Sequence, residues 1–460
     1  MYMLKVYSPF DNKIIQEIPF HTLDEIENSI QKAFELHRNS PLGLPKFERI
    51  KVLENLVNLF KNEFDHIVDL AISEGGKPLQ DSKIEVNRAI EGIKLAIQGI
   101  YQIHGDEIPM GLSAASQNRW AFTTHEPIGV VLAISAFNHP VNLLIHQAVT
   151  AIAAGCPVIL KPSLKTPLSA LKLQELLQIA GLPENWCTVI ICENTITEKL
   201  VGDKRFSFVN FIGSAKVGWN IRKKSHPGTR CALEHGGLAS VLIHPSATLH
   251  KWLTPLVKGA FYHAGQVCVS VQKVWVHHSK INEIYHQLLP EIESLKIGNP
   301  FDESTQIGSL ISKQETDRVH KWVKEAIKDG ADLWIGGEKI SDTVYAPTVL
   351  YNPPLDAKVS TEEIFGPVVC VYAYENWDDA IELINQTPYH FQSAVFTNEL
   401  SDLQEIVSSI KASTVMINDH SAFRTDWMPF GGQQESGLGT GGIIQTMKEY
   451  SKEKLIVMKF

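Results

Sequence analysis

The chain has 460 residues, 44% of them hydrophobic and 20% charged, and a formal net charge of −9. This length and apolar content suffice for two or three domains with full cores and exclude a disordered tail. The acidic balance argues against nucleic acid or an anionic membrane face, which both select basic patches, and leaves a small molecule as the expected partner.

The opening MYMLKVYSPF has no apolar core with a small-residue cleavage site, and no later run approaches the roughly 18 apolar residues of a spanning helix. A cytoplasmic protein without membrane contact is therefore expected. After a short strand-like segment, amphipathic helices are predicted at 23–37, 46–64 and 80–100, with 39–45 and its two prolines breaking the first two. Residues 106–124 are polar with scattered apolar residues and no helical period, which suits a protruding hairpin.

From residue 129 onward short β-branched runs alternate with helices of about 10 to 15 residues, the pattern of βαβ units and a parallel sheet. The runs lie at 129–135, 157–163, 187–192, 206–213 and 229–234, with helices near 141–154, 167–181 and 214–224. They predict a doubly wound α/β domain. A second series of strands, at 240–243, 271–277, 368–374, 393–396 and 414–418, carries helices such as 313–329. The two α/β layers should meet near 234–240.

Six cysteines, Cys156, Cys187, Cys192, Cys231, Cys268 and Cys370, show neither CxxC spacing nor the density of a disulfide scaffold, so free thiols with at most one catalytic member are expected, and no zinc motif is visible. Cys268 stands apart because FYHAGQVCVS, 261–270, sets it in a Gly-Gln turn at the end of a predicted helix, 249–263. The alternative is a small buried hydrophobe. A GxGxxG spacing at Gly437, Gly439 and Gly442 is discounted, since polar PFGGQQES precedes it where a dinucleotide fingerprint needs a buried strand.

FIGSAKVG, 211–218, is the better phosphate site. There a β-run ends, Gly213 permits a tight turn, and Ser214 N-caps a helix whose free N–H groups favour a pyrophosphate; an ordinary strand–helix turn is the alternative. Lys161 closes a strand as KPS, at the carboxyl end where open α/β sheets bind ligands, or else is a solvated surface lysine. Glu234 ends another strand before Gly236 and Gly237, facing a cleft or simply exposed.

Taken together, these blocks resemble the aldehyde dehydrogenase superfamily over nearly the whole chain and in the family's order. EPIGVVLAISAFNHP (126–140) looks like the strand leading to the oxyanion asparagine, Asn138, and KPSLKTP (161–167) is similar to the adenosine-ribose site. FIGSAKVG resembles the diphosphate site, LEHGG (233–237) the block of the general base, GQVC (265–268) the nucleophile motif, EIFGP (363–367) the nicotinamide-ribose clamp, and PFGGQQESGLG the closing signature.

The resemblance implies an aldehyde dehydrogenase-like α/β fold. Its parts would be a doubly wound dinucleotide-binding domain (1–105 and 125–236), a second α/β catalytic domain (237–420) and an oligomerisation arm (106–124 and 440–460) of a homodimer or homotetramer. It implies NAD or NADP as cofactor, held by Lys161, Ser163, Gly213, Ser214, Glu363 and Phe365. It also implies attack of the Cys268 thiolate on an aldehyde, an oxyanion held by Asn138 and the Cys268 N–H, and hydrolysis of the resulting thioester by water activated by Glu234. The residue types support that chemistry, because a thiol is the most nucleophilic side chain near neutral pH and a carboxylate can serve as base.

The chain also departs from the family. Phe137 replaces the usual tryptophan and His139 follows the asparagine. Leu164 stands where many NAD-preferring members place a glutamate that binds the ribose hydroxyls and repels a 2′-phosphate, so NADP is admissible. His390 interrupts a usual Tyr-Gly, Ile444 replaces a second glutamate of some relatives, and His235 with FRTDWMPF (423–430) suggests a subgroup. Two rival readings are a Cys–His hydrolase pairing Cys268 with His263 or His139, which leaves the nucleotide blocks unexplained, and a silent binding protein that kept the fold.

Overall fold

The computed structural model describes residues 2–460, without the side chains of Leu249 and His250. Met1, where the first domain was expected to begin, lies outside the described residues.

Two sheets organise the chain. The first runs in the order Gly437–Leu438, Arg230–Glu234, Phe206–Ile212, Val130–Ile134, Val158–Lys161, Cys187–Val189. All neighbours are parallel except the antiparallel edge strand Gly437–Leu438. Val130–Ile134 is buried along its whole length, which explains the unbroken apolar run VVLAI: helices cover both faces. Val131 and Ala133 point into a core built with the helices Lys46–Asn62, Leu79–Gln102 and Leu168–Ile179. Val130, Leu132 and Ile134 point into the opposite core, with Ile26 and Ile30 of Leu23–Asn39 and Ile221 of Ala215–Lys224. The strand order reverses between Val130–Ile134 and Phe206–Ile212, so a crevice opens at their carboxyl ends.

The chain passes directly from Glu234 to the second sheet, which begins at Ser240–Ile243. Its order is Asp332–Ile335, Thr348–Tyr351, Val368–Tyr374, Lys273–His277, Ser240–Ile243, Gln392–Phe396, Thr414–Ile417, parallel apart from the first pair. It surrounds its own core, centred on Val241, Val274, Trp275 and Val371. Among the described residues no helix is long and apolar enough to cross a membrane.

Glu107–Ile108, Arg119–Pro127 and Ser451–Lys459 form a separate three-stranded antiparallel sheet with Ser451–Lys459 as an edge. The hairpin read at 106–124 is thus two strands of a sheet that extends to Pro127. The preceding helix Ile443–Glu449 does not belong to it: Ile443, Met447 and Tyr450 are buried in the first core. The expected helix at 46–64 stops at Asn62, and a helix not foreseen, Phe64–Gly75, begins after Glu63 leaves helical geometry at ψ 17. Helix 142–154 contains a π turn at Ile145–Val149, which carries the buried His146 and Gln147 beneath the crevice.

Candidate active site

A cleft of about 1210 Å³ lies at the crevice, and Cys268, Glu234, Asn138, Lys161, Ser163, Gly213, Ser214, Glu363 and Phe365 all line it. The GxGxxG glycines play a different part. Gly437 pairs with Glu234 across the sheet edge, and a Cβ there would meet the Leu233 carbonyl oxygen at 2.1 Å. Gly437 and Gly439 pack the chain against the strand that carries Glu234, while Gly442, at φ 106, precedes helix Ile443–Glu449.

The nucleophile turn is built by backbone that only a crowded setting enforces. Helix Leu249–Phe261 ends, and His263, Ala264 and Gly265 follow at φ 50, 52 and 71. A Cβ on Gly265 would lie 2.2 Å from the Gly366 carbonyl oxygen, so this position needs glycine both for its φ and for space. Gln266 is buried and locks the turn: its Nε2 donates to the Ser309 carbonyl at 3.1 Å and its Oε1 accepts from Ile311 N at 2.9 Å. Val267 and Val269 on either side of Cys268 pack with Phe391 and Phe430 and anchor the loop.

Asn138 Nδ2 donates to the Gln266 carbonyl at 2.9 Å. That bond uses one of its two amide hydrogens, orients the group, and leaves the other hydrogen for the cleft. Glu234 ends its strand with its carbonyl accepting from Gly213 N at 3.0 Å, tying the base candidate to the phosphate turn. Burial raises the Glu234 carboxyl above its ordinary value, with Arg424 opposing. Burial, and then the charges of Glu234 and Glu363, push the Cys268 thiol well above its ordinary value, while Arg424 pulls it down.

At the crevice's other end Lys161 Nζ donates to Asn194 Oδ1 at 2.9 Å, and burial lowers its pKa. Ser214 is the N-cap of helix Ala215–Lys224, but its side chain makes no capping bond and no acidic residue stands in the first turn; Val217 N and Gly218 N donate to the Ser214 carbonyl, and the N–H groups of Ala215 and Lys216 remain available among the described residues. His235 explains the glycine at 218: a Cβ there would sit 1.8 Å from its Nε2, and its ring stands edge-on to Trp219 at 5.4 Å. Glu363 lies against Gly236, where a Cβ would come within 1.7 Å of Oε1. Its Oε1 is buried without a hydrogen-bond partner among the described residues, and burial pushes the carboxyl pKa up to about 8. Such an orphaned acceptor fits a ribose hydroxyl. Phe365, at φ 48, meets Phe137 edge-on at 5.8 Å.

A charged network on the cleft floor had not been read from the sequence. Asp426 accepts from Arg88 through Nε at 3.0 Å and Nη2 at 2.8 Å, from Asn142 Nδ2 at 3.0 Å and from His146 Nε2 at 2.7 Å. Burial acts to raise the Asp426 pKa, yet His146 and Arg88 outweigh it and hold the group strongly acidic. Lys77 pairs with Glu85 and donates to His139 Nδ1 at 2.9 Å, and His139 Nε2 meets the Tyr262 hydroxyl at 3.1 Å. His139 is therefore engaged elsewhere, and burial holds His263 well below its ordinary pKa. Neither is hydrogen-bonded to Cys268 among the described residues. The available signal was a charged stripe at Asp81, Glu85 and Arg88, one face of an otherwise amphipathic helix. Of the other departures, His390 pairs with Gln433 in a small two-stranded sheet, and Ile444 packs towards Gly99.

The sequence profile of the aldehyde dehydrogenase family matches residues 2–456. A 3-sulfolactaldehyde dehydrogenase of Priestia megaterium is 35% identical over 457 residues, covering 99% of this chain and 94% of its own. Aldehyde dehydrogenase 21 from Physcomitrella patens, solved in complex with the reaction product succinate, superposes with TM-score 0.96 at 32% identity, covering 100% of this chain and 95% of the other. A glyceraldehyde-3-phosphate dehydrogenase from Methanocaldococcus jannaschii, solved with NADP, gives TM-score 0.95 at 32% identity and covers 99% of each chain.

Proposed function

Since the chain belongs to the aldehyde dehydrogenase family, and so oxidises aldehydes to carboxylic acids with NAD or NADP, we propose that Cys268, Asn138 and Glu234 carry the reaction. The carrying observation is that all three converge on one cleft with Glu363, whose Oε1 has no hydrogen-bond partner among the described residues.

The Cys268 thiol loses its proton to water in the open cleft, and its sulfur bonds to the aldehyde carbon. The free Asn138 amide hydrogen and the Cys268 N–H donate to the oxygen, which becomes an oxyanion. When bound, NAD or NADP supplies the acceptor for the hydride that leaves this carbon, so that a thioester remains on Cys268. Glu234 then takes a proton from water, the hydroxide adds to the thioester carbon, and the sulfur departs as thiolate with release of the acid. Lys161, Ser163, Gly213, Ser214, Glu363 and Phe365 would hold the nucleotide. Residues 2–105 and 125–236 would form the nucleotide-binding part and 237–420 the catalytic part. Relatives named for 3-sulfolactaldehyde and lactaldehyde support a small polar aldehyde as substrate. Mixing the protein with short aldehydes and each nucleotide, while following reduced-nicotinamide absorbance, tests the reading; no reduction with any pair contradicts it.

Leu164 lines the cleft and rests partly on the first core, and exposed Lys165 lines the cleft beside it. Leucine neither binds ribose hydroxyls nor repels a 2′-phosphate, so both nucleotides should serve. Leu164→Glu should shift the ratio of kcat/KM values towards NAD by about tenfold or more, the scale of a charge-assisted hydrogen bond gained and a repulsion added. An unchanged ratio contradicts this pocket assignment.

A homodimer or homotetramer is supported by the exposed edge Ser451–Lys459, with Leu455 57% and Val457 49% accessible. An unpaired apolar edge invites a partner strand. Removing residues 455–460 should yield smaller species in light scattering, and a full-length monomer at micromolar concentration would refute the assembly. Six free thiols fit a reducing compartment such as the cytoplasm.

A further inference from the structure

Arg424 is a cation of the cleft that has no counter-ion among the described residues. Its guanidinium lines the cleft and lies 3.4 Å from the centroid of the Phe430 ring, and it forms no hydrogen bond or ion pair among the described residues. Its neighbours differ. Arg88 is clamped by both oxygens of Asp426, and Lys77 is paired with Glu85. Burial lowers the Arg424 pKa, and Glu234 is the first charge to oppose that, yet the two form no ion pair.

A guanidinium carries five N–H donors, and those of Arg424, half-buried at the cleft wall, have no acceptor among the described residues. A ligand entering the cleft can bring the acceptor. The planar fork matches a carboxylate, sulfonate or phosphate in bidentate fashion. The same Phe430 ring that faces Arg424 also packs in the small apolar cluster with Cys268. An anion on Arg424 therefore shares one cleft wall with a carbon bonded to Cys268 Sγ.

We propose that the substrate is a short aldehyde bearing an anionic group at its far end, and that Arg424 selects it by binding that group. The proposal rests on the assignment of Cys268 as the reacting thiol. A competing role, in which Arg424 only keeps Glu234 ionised, predicts equal damage to every substrate when the arginine is removed.

The test compares kcat/KM for 4-oxobutanoate with that for butanal, and adds three-carbon aldehydes ending in sulfonate or phosphate to identify the preferred anion. The parent enzyme should favour its best anionic aldehyde over butanal, and Arg424→Gln should reduce that preference at least about tenfold, mostly through KM, with Arg424→Lys retaining part of it. Thermal melting shows whether each variant folds. Independently of turnover, calorimetry on Cys268→Ala should detect succinate or the matching sulfonate or phosphate, with binding lost when Arg424→Gln is added. Equal use of charged and neutral aldehydes by the parent, an unchanged preference in Arg424→Gln, or anion binding that survives it overturns the proposal. If no aldehyde is oxidised at all, the reading of Cys268 fails instead, while calorimetry still reports on the anion site.

Discussion

Cys268→Ala should lower kcat for aldehyde oxidation by about 10⁴-fold or more, because no other side chain stands where the carbon–sulfur bond must form. The substitution removes one sulfur atom from a loop fixed by other groups: Gln266 keeps its bonds to Ser309 and Ile311, and Val267 and Val269 keep their packing. Nucleotide binding, measured by calorimetry, should therefore survive. The thiol itself should behave as a weak acid in the free enzyme, since burial and then Glu234 and Glu363 raise its pKa well above the ordinary value. The thiolate fraction then stays small near neutrality and grows with pH, so iodoacetamide labelling of Cys268 should accelerate continuously from pH 7 to 9. Turnover of Cys268→Ala at a tenth of the parent rate would sink the assignment.

The second large effect belongs to Glu234. Glu234→Gln should cut steady-state turnover by about 10²–10⁴-fold, the range for losing a general base, while leaving the first half of the reaction intact. One equivalent of reduced nicotinamide should appear rapidly and then almost stop. The pH dependence has a definite sign. Burial raises the Glu234 pKa, only the carboxylate can accept a proton from water, and so thioester hydrolysis in the parent should fall as pH falls through that raised value. Glutamine has no such titration, and its residual rate should lose this limb. Unchanged steady-state turnover would mean that another group activates the water.

Most strands of both sheets and the three side chains proposed to react were legible because each depends on local pattern. VVLAI reads as a strand because both its faces are covered, and the turn at Gly265 to Cys268 reads from the glycine that the Gly366 carbonyl demands. Short edge strands such as Ile14–Pro19 and Asp332–Ile335 were not foreseen, since they are half exposed and carry little apolar alternation. The helix break at Glu63 has neither proline nor glycine to announce it. The cleft floor was hidden for another reason. Arg88 and Asp426 are 338 positions apart, and Lys77 and Tyr262 are linked only through His139. No local period encodes such pairs. FRTDWMPF was noticed as a run, yet only the fold shows that Asp426 is buried among donors while Arg424 is left facing the cleft.

Glu363 illustrates how far a family block carries. EIFGP pointed to Glu363, but the reason for its position is structural: Gly236 has no Cβ to obstruct it, and its Oε1 finds no partner among the described residues. The same holds for Asn138, whose orientation depends on a backbone carbonyl of the nucleophile turn.

The central claim is a thioester on Cys268 that awaits water activated by Glu234. Its most direct test is intact-protein and peptide mass spectrometry of Glu234→Gln, quenched in acid within seconds of mixing with aldehyde and nucleotide. The account predicts one acyl group per chain, located on the peptide containing Cys268, in amounts equal to the reduced nicotinamide formed. Reduced nicotinamide with no acyl group on Cys268, or an acyl group on a different residue, would contradict it.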